Sequence, residues 1–277
     1  MSNEHGTAAQ ATAPSPALAI ARAFTAARHA GRALPDFPGV LPADLEQAYL
    51  VQDRAIDLWR GDIAGWKVGY IAEAMRDASG DERLLGPIFR SHLWNDTGAI
   101  NDIPVFSGAG GFAAVEAEYV LEVLEDAPAG QFQWTPAQAQ ALPARLYIGV
   151  EVASSPLATI NVLGPRAVIS DFGNNNGLVL GAEIPDWTAR AEQELCVDTL
   201  IDGQPVGSGG ATRLPGGLRA AFAFALARSA RRGRPLRRGD LIATGNATGI
   251  HDIAIGQVAR LRFAGVAEIA CRAVPAG

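Results

Sequence analysis

The 277 residues are 48% hydrophobic and 19% charged, enough apolar material for a sizeable core and too much for a disordered chain. Formal net charge is −6, and basic residues gather only at 231–238, so a nucleic-acid partner is not expected. No apolar run reaches the roughly 18–20 residues of a membrane span, so no membrane partner is expected either.

Residues 1–16 are polar and lack a continuous apolar h-region. They read as a loose tail rather than a signal peptide, and a cytoplasmic, reduced location is the expectation. Residues 17–62 read as a helical N-terminal region with helices over 17–31 and 42–60. The second carries Leu45, Ala48, Val51, Ala55, Ile56 and Trp59 along one stripe, with Pro42 in its first turn. From residue 63 to 277 short β-like runs are divided by Gly, Pro, Asn and Asp, as in GWKVGYI, AVEAEYVLEVL, RLYIGVEVAS, NGLVLGAEI, LCVDTLIDGQPV, DLIATG and QVARLRFAGV. One helix, GGLRAAFAFALARSARR, interrupts them, its basic end suited to the helix dipole. The fold class predicted is α+β, with a mostly antiparallel or mixed sheet system after the helices. A polar, acidic stretch, IAEAMRDASGDERLL, reads as a lid at about 70–86. Cys196 and Cys271 match no metal or redox spacing and are expected as free, buried thiols.

Of 23 basic residues, Lys67 in GWKVG is the only lysine. An amine can lose its proton when desolvated, whereas a guanidinium cannot, so this position is a candidate proton carrier. Trp66 and Val68, bracketed by glycine, place it at a half-buried strand end.

In VEAEYVLEV, apolar Val115, Ala117, Tyr119 and Leu121 alternate with Glu116, Glu118 and Glu122. A period of two puts Glu116 and Glu118 on one side. Either that face is wet or a cation neutralises it. Glu151 has the same setting in RLYIGVEVAS, where Leu146, Ile148, Val150 and Val152 face the other way and Gly149 leaves room beside it. Three carboxylates without histidine or thiolate suit Mg²⁺ or Mn²⁺ better than zinc.

In chain order EQAYLVQ (46–52), GWKVG (65–69), GPI (86–88), EAEYVLE (116–122), GVEVASS (149–155) and LRRGDLIATG (236–245) resemble motifs of the fumarylacetoacetate hydrolase superfamily. They are most similar to its 2-keto-4-pentenoate hydratase and 4-oxalocrotonate decarboxylase branch. The resemblance spans residues 40 to 265. It implies an irregular β-roll or sandwich of mixed strands behind a smaller helical part, making 63–277 the catalytic domain. It further implies a divalent metal, usually magnesium, at Glu116, Glu118 and Glu151, and Lys67 as the acid-base lysine. A small 2-oxo acid substrate and a homo-oligomer follow from the same likeness.

The resemblance also raises second-rank candidates. Asp171, Asn174 and Asn175 in ISDFGNNNG either orient substrate or simply form an Asn/Gly turn. Thr244 and Gly245 match a loop bordering the active site in relatives. Ser208 is a further substrate contact unless hairpin chemistry explains PVGSGG, and His251 is the one histidine near this loop. The chain departs from the branch at 152–156, at 173–176 and at 246–249, which leaves substrate identity and the final step open.

The reaction expected is hydration of a 2-oxo-4-enoate in aromatic-compound catabolism. Decarboxylation of a 2-oxo dioate is the alternative, with acylpyruvate hydrolysis behind it, because hydrolases of the superfamily use a lid histidine and residues 70–85 have none. A non-catalytic protein that senses a 2-oxo acid is the reading from another class.

Overall fold

The computed structural model describes residues 15–277. The tail expected at 1–16 therefore lies outside the described residues, except for Ser15 and Pro16. These two open helix α1 (Pro16–His29), with Ser15 Oγ accepting from the Leu18 amide. Helix α2 (Leu45–Trp59) starts three residues later than expected. Asp44 caps it, Oδ1 accepting from the Gln47 amide at 2.8 Å, and Pro42 sits outside.

The strands are β1 (Ile63–Tyr70), β2 (Arg83–Phe89), β3 (Leu93–Asn95), β4 (Ile100–Val105), β5 (Phe112–Val123), β6 (Ala144–Ser155) and β7 (Asn175–Glu183). They continue as β8 (Cys196–Ile201), β9 (Gln204–Gly210), β10 (Leu241–Asn246), β11 (His251–Asp252), β12 (Val258–Phe263) and β13 (Ala267–Pro275). Short helices α3 (Pro136–Ala141) and α4 (Pro165–Ser170) and the longer α5 (Gly217–Arg231) complete the set. An 8-stranded sheet runs β2-β1-β10-β5-β6-β7-β3, with β11 also on β5, and a 5-stranded sheet runs β4-β13-β12-β8-β9. The pairs β1–β10, β3–β7 and β4–β13 are parallel and the rest antiparallel. This is the expected α+β class with mixed sheets.

Period-two alternation decides which face of the large sheet meets which core. Val115, Ala117, Tyr119 and Leu121 of β5, with Ile148, Val150 and Val152 of β6, point into the main apolar core. Leu261, Phe263 and Ile269 of the small sheet meet them there, and the Tyr119 and Phe263 rings touch edge to face with centroids 5.7 Å apart. The opposite face has a second, small apolar cluster of Ile88, Val120, Leu178, Leu241 and Ala243. The acidic residues stand beside that cluster.

Ile20 and Phe24 of α1 and Leu45 and Tyr49 of α2 belong to the same core as the sheets, so the change of texture at residue 63 falls within one continuous core. Gln52 reinforces the junction by donating to the carbonyl oxygens of Leu85 and Ile169, each at 2.9 Å. Of the stretch read as a lid, residues 83–86 are strand β2, buried throughout, and 71–82 lie outside sheet structure. Cys196 is exposed rather than buried, because it starts β8 on the solvent parity it shares with Asp198. Cys271 is buried, which pushes its thiol up to about 12. Among the described residues no helix is long and apolar enough to cross a membrane.

Gly86 carries a packing constraint. A Cβ there would overlap the Phe172 carbonyl oxygen and lie 2.9 Å from Gly173 Cα. Only glycine lets β2 press against the 172–174 turn. Gly86→Ala is expected to cost about 1–3 kcal/mol in urea unfolding through overpacking; an unchanged midpoint would contradict this contact.

Candidate active site

Strand register assembles the site. Glu116 lies directly opposite Glu151 across β5 and β6, and Glu118 lies opposite Gly149. One row further on, Lys67 pairs with Ala243 and Ala243 with Val120. Residues sharing a row point to the same face, and Val120 has the parity of Glu116 and Glu118. All four polar side chains therefore emerge on one side of the sheet.

That side is not wet. Glu116, Glu118 and Glu151 are 3%, 0% and 1% exposed, and one carboxylate oxygen from each lies within 4.8 Å of the others. Glu116 Oε1, Glu118 Oε1 and Glu151 Oε2 are buried without a hydrogen-bond partner. Like charges directly opposite on adjacent strands repel, and burial adds a desolvation penalty. Burial and Glu151 push the Glu116 carboxyl up to about 7, against the pull of Lys67 and the Asn246 amide. Glu118 is raised well above the carboxylate range by burial and by Glu151 and Glu116, although the Gly245 amide donates to its Oε2 at 2.6 Å. Three clustered oxygen donors without hydrogen-bond partners could hold a hard dication, which would displace the protons that burial favours. The room expected beside Gly149 is filled by Val120: a Cβ on Gly149 would stand 2.7 Å from Val120 Cγ2.

Lys67 is equally buried, at 4% exposed. Its Nζ stands 3.3 Å from Glu151 Oε1 and donates to Asn174 Oδ1 at 2.9 Å. Burial disfavours the ammonium, but Glu151, Glu116 and Glu118 outweigh it and hold the proton more tightly than in a free lysine. A desolvated lysine alone would go the other way. A cation among the carboxylates would invert this local balance.

The second-rank candidates separate cleanly. Asn174 and Asn175 reach the site, the first through Lys67 and the second by donating to Glu151 Oε1 at 3.1 Å. Gly245 reaches it through its amide, whereas the Thr244 hydroxyl donates to the Tyr119 carbonyl oxygen at 2.8 Å and serves the backbone. Asp171 is committed elsewhere. Its Oδ1 accepts from Arg28 Nε at 2.6 Å, and its Oδ2 from Arg28 Nη2 at 2.9 Å and from Ser155 Oγ at 2.6 Å. It fastens α1 to the site turn and has no oxygen spare for substrate. Ser208 lies on β9 opposite Asp198, in the small sheet. The Asp202-Gly203 turn, with both residues in the left-handed region, makes its segment a hairpin arm. His251 pairs with Val115, so it points away from Glu116, and its Nε2 is 3.1 Å from Thr248 Oγ1.

A cavity of about 230 Å³ opens on Lys67, Glu116, Asn161, Asn174 and Asn246. Asn161 and Asn246 were not among the sequence candidates. Asn161 Oδ1 accepts from Asn174 Nδ2 at 3.0 Å, which orients the amide that holds Lys67.

No family model matches the sequence, and no curated protein matches it. The fold is shared with solved structures. The 4-oxalocrotonate decarboxylase of Pseudomonas putida G7, complexed with magnesium and adipate, superposes with a TM-score of 0.76 at 20% identity over 93% of this chain and 97% of that one. The same enzyme complexed with calcium and acetate gives 0.75 at 19% over the same shares. A fumarylpyruvate hydrolase from Pseudomonas aeruginosa, in complex with Mn²⁺ and pyruvate, gives 0.51 at 15% over 76% and 88%. The chain thus shares its fold with these solved structures over most of its length.

The Arg28–Asp171 pair is 3% and 0% exposed at its side chains. Removing one partner strands a buried charge, so Arg28→Ala is expected to cost about 3–5 kcal/mol in chemical unfolding. A loss below about 1 kcal/mol would contradict a clamp at this position.

Proposed function

We propose that this chain is a metal-dependent lyase of the fumarylacetoacetate hydrolase superfamily that hydrates a 2-oxo-4-enoate, with Glu116, Glu118 and Glu151 holding Mg²⁺ or Mn²⁺. The observation that carries the reading is the set of three buried carboxylate oxygens without partners, beside the only lysine in the chain. The metals named for the solved structures are of the same hard class.

Held by the three carboxylates, the dication would polarise the 2-oxo group of the substrate and stabilise the negative charge that develops on its oxygen. Lys67 Nζ opens on the cavity and carries the proton that moves to or from carbon 3 or carbon 5. Asn174 fixes that amine in place, and Asn161 fixes Asn174. Asn246 lies beside Glu116 on the cavity wall, where its amide can orient substrate or water. Water then supplies a hydroxyl to carbon 4 and a proton to the adjoining carbon.

Decarboxylation of a 2-oxo dioate is the second reading, favoured by the likeness to 4-oxalocrotonate decarboxylase over 93% of the chain. Hydrolysis of an acylpyruvate is less favoured, because the lid contains no histidine. A sensor of 2-oxo acids would keep the metal and the ligand but turn nothing over.

Two tests follow. A panel of 2-oxo-4-enoates, 2-oxo dioates and acylpyruvates, monitored by ultraviolet absorbance with magnesium or EDTA, should show hydration of the enoates that EDTA abolishes. In the same assay Lys67→Ala should lower kcat by about 10²- to 10⁴-fold while oxalate binding persists; full turnover in this variant would remove the lysine from the mechanism. Separately, magnesium at about 100 times its Kd should stabilise the fold by about 2.7 kcal/mol, raising Tm by roughly 5 °C. Glu118→Gln should erase that rise without lowering the metal-free Tm. An identical rise in this variant would place the ion elsewhere.

A further inference from the structure

The polar residues of the cavity form one connected group. Lys67 touches Asn174 and Glu151, Asn174 touches Asn161, and Asn246 lies beside Glu116. The remaining side chains around the cavity are a different population: Ile71, Met75, Leu84, Val168 and Ile250, with Tyr70 among them. The Tyr70 hydroxyl already accepts from Arg76 Nη2 at 2.6 Å. Among the described residues, no arginine or histidine, and no lysine besides Lys67, lines the space.

Exposure supplies a second observation. Tyr70, Met75 and Ile250 are 47%, 51% and 47% exposed. Large apolar side chains left open to solvent are unremarkable when scattered, but these three converge on one cavity that already holds the charged site. All three line the cavity that Lys67 and Glu116 also line.

We infer that the substrate carries an apolar tail and no second carboxylate, with Met75 and Ile250 selecting for it. This rests on the proposed function, since the 2-oxo acid head must sit on the glutamates for the tail to meet this wall. Two guanidinium groups stand against Tyr70, and both are engaged: Arg76 donates to the Tyr70 hydroxyl, the Ile71 carbonyl oxygen and Glu82, while Arg83 lines an adjoining cavity that shares Tyr70, Ala72 and Asn246 and donates to the Pro215 carbonyl oxygen. A dioate held by the glutamates would leave its far charge among apolar side chains, beside guanidinium groups whose donors are already taken.

Calorimetric titration of the magnesium-loaded full chain tests the inference with pyruvate, 2-oxobutyrate, 2-oxopentanoate, 2-oxohexanoate and 2-oxoadipate. Each methylene added to pyruvate should tighten binding about fourfold. The six-carbon dioate, 2-oxoadipate, should bind at least tenfold more weakly than 2-oxohexanoate. Met75→Arg and Ile250→Arg should each narrow or reverse that ratio by supplying the missing cation. Tighter binding of 2-oxoadipate by the unaltered protein, a ratio unmoved in both variants, or carbon dioxide released from a 2-oxo-enedioate would overturn the tail assignment while pyruvate binding kept the head site intact. Absence of any magnesium-dependent pyruvate binding would overturn the head site and the tail with it.

Discussion

Repulsion among three buried carboxylates organises this molecule. Strands β5 and β6 are locked in register along twelve paired positions, and that register sets Glu116 face to face with Glu151 while Glu118 follows two residues on. Slipping by one residue would turn Val115 and Val152 toward the cavity and the glutamates into the core, so the apolar face enforces the acidic arrangement. Stability is therefore spent holding like charges together. One dication would satisfy all three orphaned oxygens at once.

A second constraint places the amine. Gly86 and Gly173 touch backbone to backbone, which brings the 172–174 turn onto β2 and sets Asn174 against Lys67. The same turn is tied from behind by Asp171, Arg28 and Ser155, and Asn176 accepts from Arg28 Nη1 at 2.9 Å. The N-terminal helix thus does more than cover the core: through Arg28 it fixes the loop that orients the candidate proton carrier. On the other wall residues 71–82 lie outside the sheets and Met75 is half exposed.

Much of this was legible in the sequence because it is local. Alternation in VEAEYVLEV gave the shared side of Glu116 and Glu118, the same pattern gave Glu151, and a lone lysine between glycines drew attention to position 67. The register that makes Glu116 and Glu151 neighbours is not local, and no residue pattern encodes it. Nor could the sequence reveal that Asp171 is spoken for, since its partner Arg28 lies 143 residues away. The polar, acidic stretch read as a lid to about residue 86 runs on into strand β2, whose residues are all buried, a change that the composition of IAEAMRDASGDERLL does not mark. The protonation of Lys67 ran against expectation for a similar reason: desolvation is visible in an apolar flank, whereas three glutamates converging from other strands are not.

The most direct test of a shared cation is a crystal grown with Mn²⁺ and measured at a wavelength where manganese scatters anomalously. One strong peak per chain, bounded by carboxylate oxygens of Glu116, Glu118 and Glu151, is the predicted result. A peak at another position, or none at saturating manganese, would contradict the account.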